Sequence, residues 1–223
     1  MSRIILIANR LPVTIKEEDS DMQFIPSAGG LATGLKSLEG SYEKVWIGWP
    51  GLNPDNKEKK EHINQRLSDL NMHPVYINED LFEDYYYGYS NETIWPLFHY
   101  FSQHVINNES YWKAYKTVNQ IFAEKVKEIA KEDDIIWVHD YHLMLLPQLL
   151  RKQFPLSKIG FFLHIPFPSY ELFRTIPHRE ELLEGLIGSD LIGFHTYDYI
   201  RHFNSSISRI LGYEQHYLGR INL

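Results

Sequence analysis

Residues 133–168 constrain the fold more than any other part of the chain. They contain two apolar runs, 135–138 and 159–163, each of a length suited to a buried strand. Between the runs, residues 141–154 carry leucines at helical spacing and close with Arg151 and Lys152, which is typical of a helix C-terminus. The order strand, helix, strand predicts two parallel neighbours in one sheet.

Polar residues follow both predicted strands. His139 and Asp140 come directly after the first strand, and His164 directly after the second. Because ligands bind outside the carboxyl ends of parallel strands, these side chains are predicted to line a site. His139 and His142 at i, i+3 spacing without a third ligand nearby do not favour zinc. His139 is interpreted instead as a hydrogen-bonded residue at a strand end.

The rest of the chain continues the alternation of strands and helices. Further strands are predicted at 4–7, 45–49, 75–77 and 191–194, a hairpin at 13–15 with 22–25, and helices at 56–70, 110–131, 170–173, 179–187 and 197–211. This alternation predicts a doubly wound, mostly parallel α/β sheet with a β-hairpin and helical insertions. We expect residues 1–223 to form one domain.

Composition excludes several classes of protein. The chain has no cysteine, which rules out disulfides, thiolate metal sites and a cysteine nucleophile. A net charge of -7 without a basic stripe argues against a nucleic-acid partner. The apolar run near the N-terminus is too short for a membrane span or a signal-peptide core. We therefore expect a cytoplasmic protein that does not bind membranes.

Three further features bear on ligands. Arg10 follows the first predicted strand, where its guanidinium either reaches a ligand or forms a surface salt bridge. Gly29 and Gly30 precede a predicted helix and could offer backbone N–H groups to a diphosphate, although the dinucleotide fingerprint is absent. Residues 83–100 concentrate aromatic side chains, which suit core packing and also stacking against sugars.

Asp19 and Asp21 form an Asp-x-Asp pattern that many metal-dependent sugar transferases use to bind a cation. Their position in a polar turn between two predicted strands favours a solvated hairpin tip instead.

Seven motifs resemble, in order and spacing, the N-terminal half of trehalose-6-phosphate synthases, which are retaining glycosyltransferases of the GT-B type. They are NRLPVT, SAGGLATGL, WIGWPG, YYYGYSNETIWPLFHY, DDIIWVHDYHLMLLPQLLR, IGFFLHIPFPSYELFRTIP and SDLIGFHTYDYIRHF. The resemblance implies a Rossmann-like, acceptor-binding domain. It also implies transfer of glucose from UDP-glucose, or another nucleotide-glucose, to glucose 6-phosphate, which gives α,α-trehalose 6-phosphate.

The resemblance also implies a role for residues that bind the acceptor. Arg10, Tyr86 and Trp95 match the positions that bind the acceptor phosphate. Trp49 matches a residue that lines the acceptor sugar site, and Asp140 one that hydrogen-bonds acceptor hydroxyls near the reacting centre.

For the donor, the resemblance implies that His164 contacts the glucose near its anomeric carbon. It implies further that Gly29 and Gly30 bind the diphosphate through backbone N–H groups. The implied mechanism is front-face transfer, in which the leaving diphosphate accepts the proton of the acceptor hydroxyl. No enzyme nucleophile, metal or other cofactor is expected.

The chain stops at Leu223, where the family continues into a second, nucleotide-sugar-binding domain. That domain is therefore an expected partner, and the polypeptide alone is expected to be inactive or nearly so; a homo-oligomer is left open. An alternative hypothesis is a non-catalytic regulatory or sugar-phosphate-sensing module of a trehalose synthase complex. A third is a related transferase with a cyclitol acceptor.

Overall fold

The computed structural model describes residues 3–18, 21–27, 30, 34, 42–216 and 220–221. A six-stranded sheet forms its centre, and two small two-stranded sheets accompany it. The strands are β1 (Arg3–Arg10), β2 (Val13–Glu18), β3 (Asp21–Pro26), β4 (Glu43–Trp49), β5 (Met72–Pro74), β6 (Ile135–His139), β7 (Lys158–Phe162), β8 (Leu191–Gly193), β9 (Gln215–His216) and β10 (Arg220–Ile221).

The central sheet has the order β5-β4-β1-β6-β7-β8, and all its neighbouring strands are parallel. Numbered by their order along the chain, these strands run 3-2-1-4-5-6, which is the doubly wound order. The predicted fold class is thus confirmed. The direction of winding reverses between β1 and β6, so a ligand crevice is expected outside the carboxyl ends of these two strands.

Helices cover both faces of the sheet. They are α1 (Lys57–Ser68), α2 (Glu79–Phe82), α3 (Trp95–Phe98), α4 (Glu109–Ile129), α5 (Leu146–Gln153), α6 (Tyr170–Phe173), α7 (Arg179–Ile187) and α8 (Tyr197–Ser206). Two π-helices, Glu83–Ile94 and Ile207–Leu211, and two 3-10 helices, Ser102–His104 and Tyr141–Leu143, complete the helical segments. Within the described ranges, every helix is too short or too polar to cross a membrane.

The strands are apolar on both faces because both faces are covered. On one face, Ile5, Ile47 and Val138 are buried in the core cluster that includes residues of α4. On the other face, Leu6 is buried in a cluster that includes Leu67 of α1. Because both faces of the strands are buried, polar residues of the sheet are confined to positions at or near the ends of its strands.

Two predicted elements differ from the structure. The strand predicted at 75–77 was wrong, because the edge strand β5 pairs with β4 through residues 72–74. The Val75 N–H still donates to the Gly48 carbonyl at 2.9 Å, and the chain then leaves the sheet. The helix predicted at 141–154 is divided, because Pro147 has no N–H and sits in the first turn of α5.

The predicted hairpin is confirmed. Strands β2 and β3 pair antiparallel, with Val13 opposite Pro26 and Glu18 opposite Asp21. Asp19 and Ser20, which connect the strands, lie outside the described residues.

Candidate active site

A cavity of about 560 Å³ opens at the carboxyl ends of the central strands. It lies where the winding of the sheet reverses, because β1 and β6 contribute residues from their ends and β4 and the segment after β7 contribute from either side. The lining residues are Ala8, Asn9, Arg10, Trp49, Phe82, Tyr86, Tyr87, His139, Asp140, His142 and His164.

The cavity brings together side chains that are far apart in the sequence. Arg10, Trp49, Tyr86, Asp140 and His164 all line it. These are five of the six residues that the resemblance implicates in contacts with the acceptor or the donor glucose. Because each follows a different part of the sheet or its insertions, the site exists only when the whole sheet is assembled.

Trp95, which the resemblance groups with Arg10 and Tyr86, is not among the residues that line this cavity. It begins α3, and its ring stacks on His99 one turn later, with centroids 4.0 Å apart. The Trp95 side chain is 39% exposed. The role of Trp95 at the acceptor phosphate stays a prediction.

The guanidinium of Arg10 is available to an anion. Its Cζ lies 5.6 Å from the centroid of the Trp49 ring. Among the described residues, no carboxylate forms an ion pair with Arg10, so the salt-bridge alternative does not hold there. Gly51 has φ +95°, and a Cβ at that position would lie 2.8 Å from Nη2 of Arg10. The turn after β4 thus favours glycine for its backbone, and a Cβ there would also displace the end of the Arg10 side chain.

One wall of the cavity is a row of aromatic rings. The Trp49 and Phe82 centroids are 4.2 Å apart, and Phe82 stacks on Tyr86 at 5.0 Å. Tyr86 in turn stacks on His142 at 5.5 Å with an interplanar angle of 8°. The π-helix that follows α2 directs neighbouring rings to different places. Tyr86 lines the cavity, whereas Tyr85 is fully buried in the core and its hydroxyl donates a hydrogen bond to Asn9 Oδ1 at 2.8 Å. Flat rings of this kind suit the faces of sugars.

Asp140 provides the carboxylate of the site. Its Oδ1 accepts the backbone N–H groups of Tyr141 at 3.0 Å and His164 at 3.2 Å. Its Oδ2 has no hydrogen bond among the described residues and remains available to a ligand. Burial raises the pKa of Asp140 to about 6. The backbone has φ +74° and ψ 168°, a strained region that glycine adopts far more readily than aspartate.

His139 and His164 meet in the wall of the cavity. Nδ1 of His139 lies 3.1 Å from Nε2 of His164, so the prediction that His139 is a hydrogen-bonded strand-end residue is confirmed. Burial lowers the pKa of His139 to about 3 and that of His164 to about 4. Both imidazoles are therefore neutral near pH 7, and neither supplies positive charge to a bound anion.

The sequence reasoning assigned no role in the site to Asn9, Phe82, Tyr87 or His142. Asn9 stands at the carboxyl end of β1 beside Arg10, which is a signal that could have found it. His142 is buried with neither ring nitrogen hydrogen-bonded, and burial lowers its pKa to about 3. His142 contributes to the cavity wall by stacking against Tyr86, and no local sequence pattern predicts this contact.

The glycine pair expected at the donor diphosphate falls at the margin of the described structure. Gly29 lies outside the described residues, and Gly30 is helical and exposed. Their role stays a prediction. Within the part of the chain that the structure describes, no group of three histidine or carboxylate side chains is placed to hold a metal ion.

The fold and the cavity define the class of this protein. A doubly wound parallel sheet carries, at its reversal point, an arginine, a row of rings and a buried carboxylate, which together suit a phosphorylated sugar. The chain belongs to glycosyltransferase family 20, whose sequence profile matches residues 2–220.

Individual relatives agree with this assignment. The UDP-forming alpha,alpha-trehalose-phosphate synthase of Botryotinia fuckeliana is 49% identical over 215 residues, which covers 94% of this chain and 41% of that protein. The crystal structure of a UDP-forming alpha,alpha-trehalose-phosphate synthase from Burkholderia xenovorans in complex with glucose-6-phosphate is 30% identical with a TM-score of 0.77. The superposition covers 99% of this chain and 48% of the Burkholderia chain.

The N-terminal domain of Candida albicans trehalose-6-phosphate phosphatase is also similar, at 33% identity and a TM-score of 0.80, with 99% of this chain and 47% of that chain covered. The chain thus spans less than half the length of each of these relatives.

Proposed function

We propose that this chain is the acceptor-binding portion of a retaining glycosyltransferase. The enzyme transfers glucose from UDP-glucose, or another nucleotide-glucose, to glucose 6-phosphate and forms α,α-trehalose 6-phosphate. The observation that carries the proposal is the guanidinium of Arg10, without an ion pair among the described residues, in the same cavity as Tyr86 and Asp140. The Botryotinia relative, a UDP-forming synthase, and the Burkholderia relative, solved in complex with glucose-6-phosphate, support the reaction and the acceptor.

The acceptor fits the cavity by its chemistry. The phosphate accepts charge-assisted hydrogen bonds from Arg10, whose planar fork suits phosphate oxygens. The Tyr86 hydroxyl donates to the same group, and the Trp49 ring packs against the sugar. Oδ2 of Asp140, which has no hydrogen bond among the described residues, accepts a hydrogen bond from a sugar hydroxyl and so orients the acceptor for reaction. At neutral pH this carboxylate is ionised and acts only as an acceptor, because its pKa of about 6 lies below the ambient pH.

The donor lies against His164 and the glycine pair Gly29 and Gly30. The acceptor hydroxyl forms its bond to the anomeric carbon on the face from which the diphosphate departs, and the leaving diphosphate accepts the hydroxyl proton, so that no side chain serves as a nucleophile or a base. We expect no metal. Rate enhancement then comes from the placement of the two sugars and from stabilisation of charge on the leaving group.

Calorimetry with glucose 6-phosphate tests the acceptor site. We expect Arg10→Ala to weaken binding by about 10-fold to 100-fold, because a hydrogen bond to a charged group contributes about 1.5 to 3 kcal/mol. Glucose without phosphate should bind the parent chain and the variant equally. Arg66→Ala is the matched control, since Arg66 makes the same kind of contact with the ring of Phe24, at 5.7 Å, outside the cavity.

Three results would count against the acceptor site. They are an absence of glucose 6-phosphate binding to the parent chain, an Arg10→Ala variant that binds as tightly as the parent, and equal affinities for glucose and glucose 6-phosphate.

A second candidate function is a non-catalytic module that senses sugar phosphate. The similarity to the N-terminal domain of the Candida phosphatase favours this alternative, because a protein named for a different activity shares the fold. Titration of UDP-glucose into the chain saturated with glucose 6-phosphate, with the nucleotide-sugar-binding domain supplied, separates the two. A synthase should show affinities for the two ligands that depend on each other, and a sensor should bind glucose 6-phosphate independently of UDP-glucose.

A further inference from the structure

The hydrogen bond between His139 and His164 bears on the protonation of both imidazole rings. We propose that His139 is a positioning residue that donates its Nδ1–H to Nε2 of His164 and thereby holds His164 in the tautomer that carries its proton on Nδ1. His164 then offers a neutral N–H donor to the ligand in the cavity. The role of that donor rests on the proposed function, since the ligand there is a sugar or a sugar diphosphate.

The backbone around the pair leaves His164 little freedom. His139 is opposite Phe162 at the end of the β6–β7 pairing. One residue on, the Asp140 N–H donates to the Phe162 carbonyl at 2.8 Å, and the His164 N–H donates to Asp140 Oδ1 at 3.2 Å. The main chain of His164 is therefore held by Asp140, and its ring by His139 at 3.1 Å.

The surroundings of His139 decide which ring donates. A neutral imidazole has one N–H and one lone pair, and His139 is only 1% exposed. Its second nitrogen, Nε2, is buried without a partner among the described residues. If Nδ1 accepted the bond, Nε2 would be a buried N–H with no acceptor, which is rarer in proteins than a buried acceptor with no donor. His139 therefore donates from Nδ1, and Nε2 keeps its lone pair.

The proton of His164 follows from this assignment. Because Nε2 of His164 accepts the bond, its proton resides on Nδ1, which has no hydrogen bond among the described residues. His164 lines the cavity. The groups around its ring are His195, with a centroid distance of 5.8 Å, Phe162 at 4.7 Å and His139. An N–H donor suits the oxygens of a diphosphate, which a lone pair would repel, and a sugar hydroxyl can also accept from it.

The test is NMR of the chain labelled with ¹⁵N-histidine, in which two-bond ¹H–¹⁵N correlations identify the protonated nitrogen of each ring. We expect Nδ1–H at both His139 and His164 at pH 7.5. In His139→Phe, which keeps a ring beside Trp137, the ratio of the two tautomers of His164 should shift about tenfold toward Nε2–H, since a hydrogen bond contributes about 1 kcal/mol or slightly more.

Two further variants sharpen the result. In His139→Asn the side-chain N–H group lies near the position of Nδ1, and it should restore the Nδ1–H form of His164. His142→Phe removes another buried histidine that makes no side-chain hydrogen bond, and it should leave the His164 signals unchanged.

A proton on Nε2 of His164 in the parent chain would overturn the assignment, as would an unchanged tautomer ratio in His139→Phe. If His139→Phe does not fold, the parent spectrum still decides, because it identifies directly which nitrogen of His164 carries the proton. No sugar is needed for these measurements. Failure here is therefore distinct from failure of glucose 6-phosphate binding.

Discussion

At pH 8, Asp140→Asn is expected to be more stable than the parent chain by about 2 to 3 kcal/mol. Burial raises the pKa of Asp140 from 3.8 to about 6, so ionisation costs the folded state more than the unfolded state. Asparagine carries no charge and accepts the same two backbone N–H groups, and as a non-glycine residue it bears the same backbone strain as aspartate at φ +74° and ψ 168°. The gain should be complete above pH 6 and fade as the pH falls toward 4, where aspartate is protonated in both states. Urea unfolding at several pH values measures it.

Asp134 directly precedes the first residue of β6 and provides a matched control, because its substitution is expected to change stability in the opposite direction. Burial works to raise its pKa, but Arg3 donates to the carboxylate at 2.9 and 2.6 Å and the Lys131 N–H at 2.7 Å. The net effect lowers the pKa of Asp134. Asp134→Asn should therefore destabilise the chain at pH 8. A stability loss in Asp140→Asn that matched the loss in Asp134→Asn would contradict the assigned cost of ionising Asp140.

Asp140→Asn should also impair the proposed function. An amide at position 140 can present an N–H group where the carboxylate offers Oδ2, so the contact with an acceptor hydroxyl is weakened or reoriented. A gain in stability accompanied by weaker glucose 6-phosphate binding is the expected signature of a charge retained for binding.

The second large effect is a loss of stability in acid. His139 and His142 have folded pKa values of about 3 and His164 about 4, against 6.5 for an ordinary histidine. Between pH 6.5 and 4 the unfolded state binds protons that the folded state does not, so stability falls as the pH falls. Asp140 acts in the opposite direction between pH 6 and 4 and offsets one of these protons. The net loss should be on the order of 5 kcal/mol, measured by urea unfolding from pH 7.5 to 4.

His142→Phe isolates one of these contributions. It keeps the ring stacked against Tyr86 and removes two buried nitrogens that lack partners. The slope of stability against pH should decrease by up to about 1.4 kcal/mol per pH unit below pH 6.5. Leu156→Ala, at an exposed position without a titratable group, should leave the slope unchanged. Equal slopes for the parent chain and His142→Phe would mean that His142 is not buried in its neutral form.

Much of the site could be predicted because strand ends are a local property. Arg10, Asp140 and His164 each follow an apolar run, and parallel winding places the carboxyl ends of such runs on one edge. The placement of the aromatic side chains of residues 83–100 was harder to predict. The π-helix decides that Tyr85 is buried and Tyr86 faces the cavity, and neither local spacing nor resemblance predicted that Trp95 would stack on His99 outside it.

By itself, the sequence determined the alternation of strands and helices, the edge of the sheet that carries the polar residues and the resemblance that suggests a sugar phosphate. Only the tertiary structure decided the bond between His139 and His164, 25 positions apart, and that between Tyr85 and Asn9, 76 positions apart. It also decided the burial that shifts the pKa values of Asp140 and His142. The physical reason is that periodicity depends on neighbours in the chain, whereas desolvation and hydrogen bonding depend on neighbours in space.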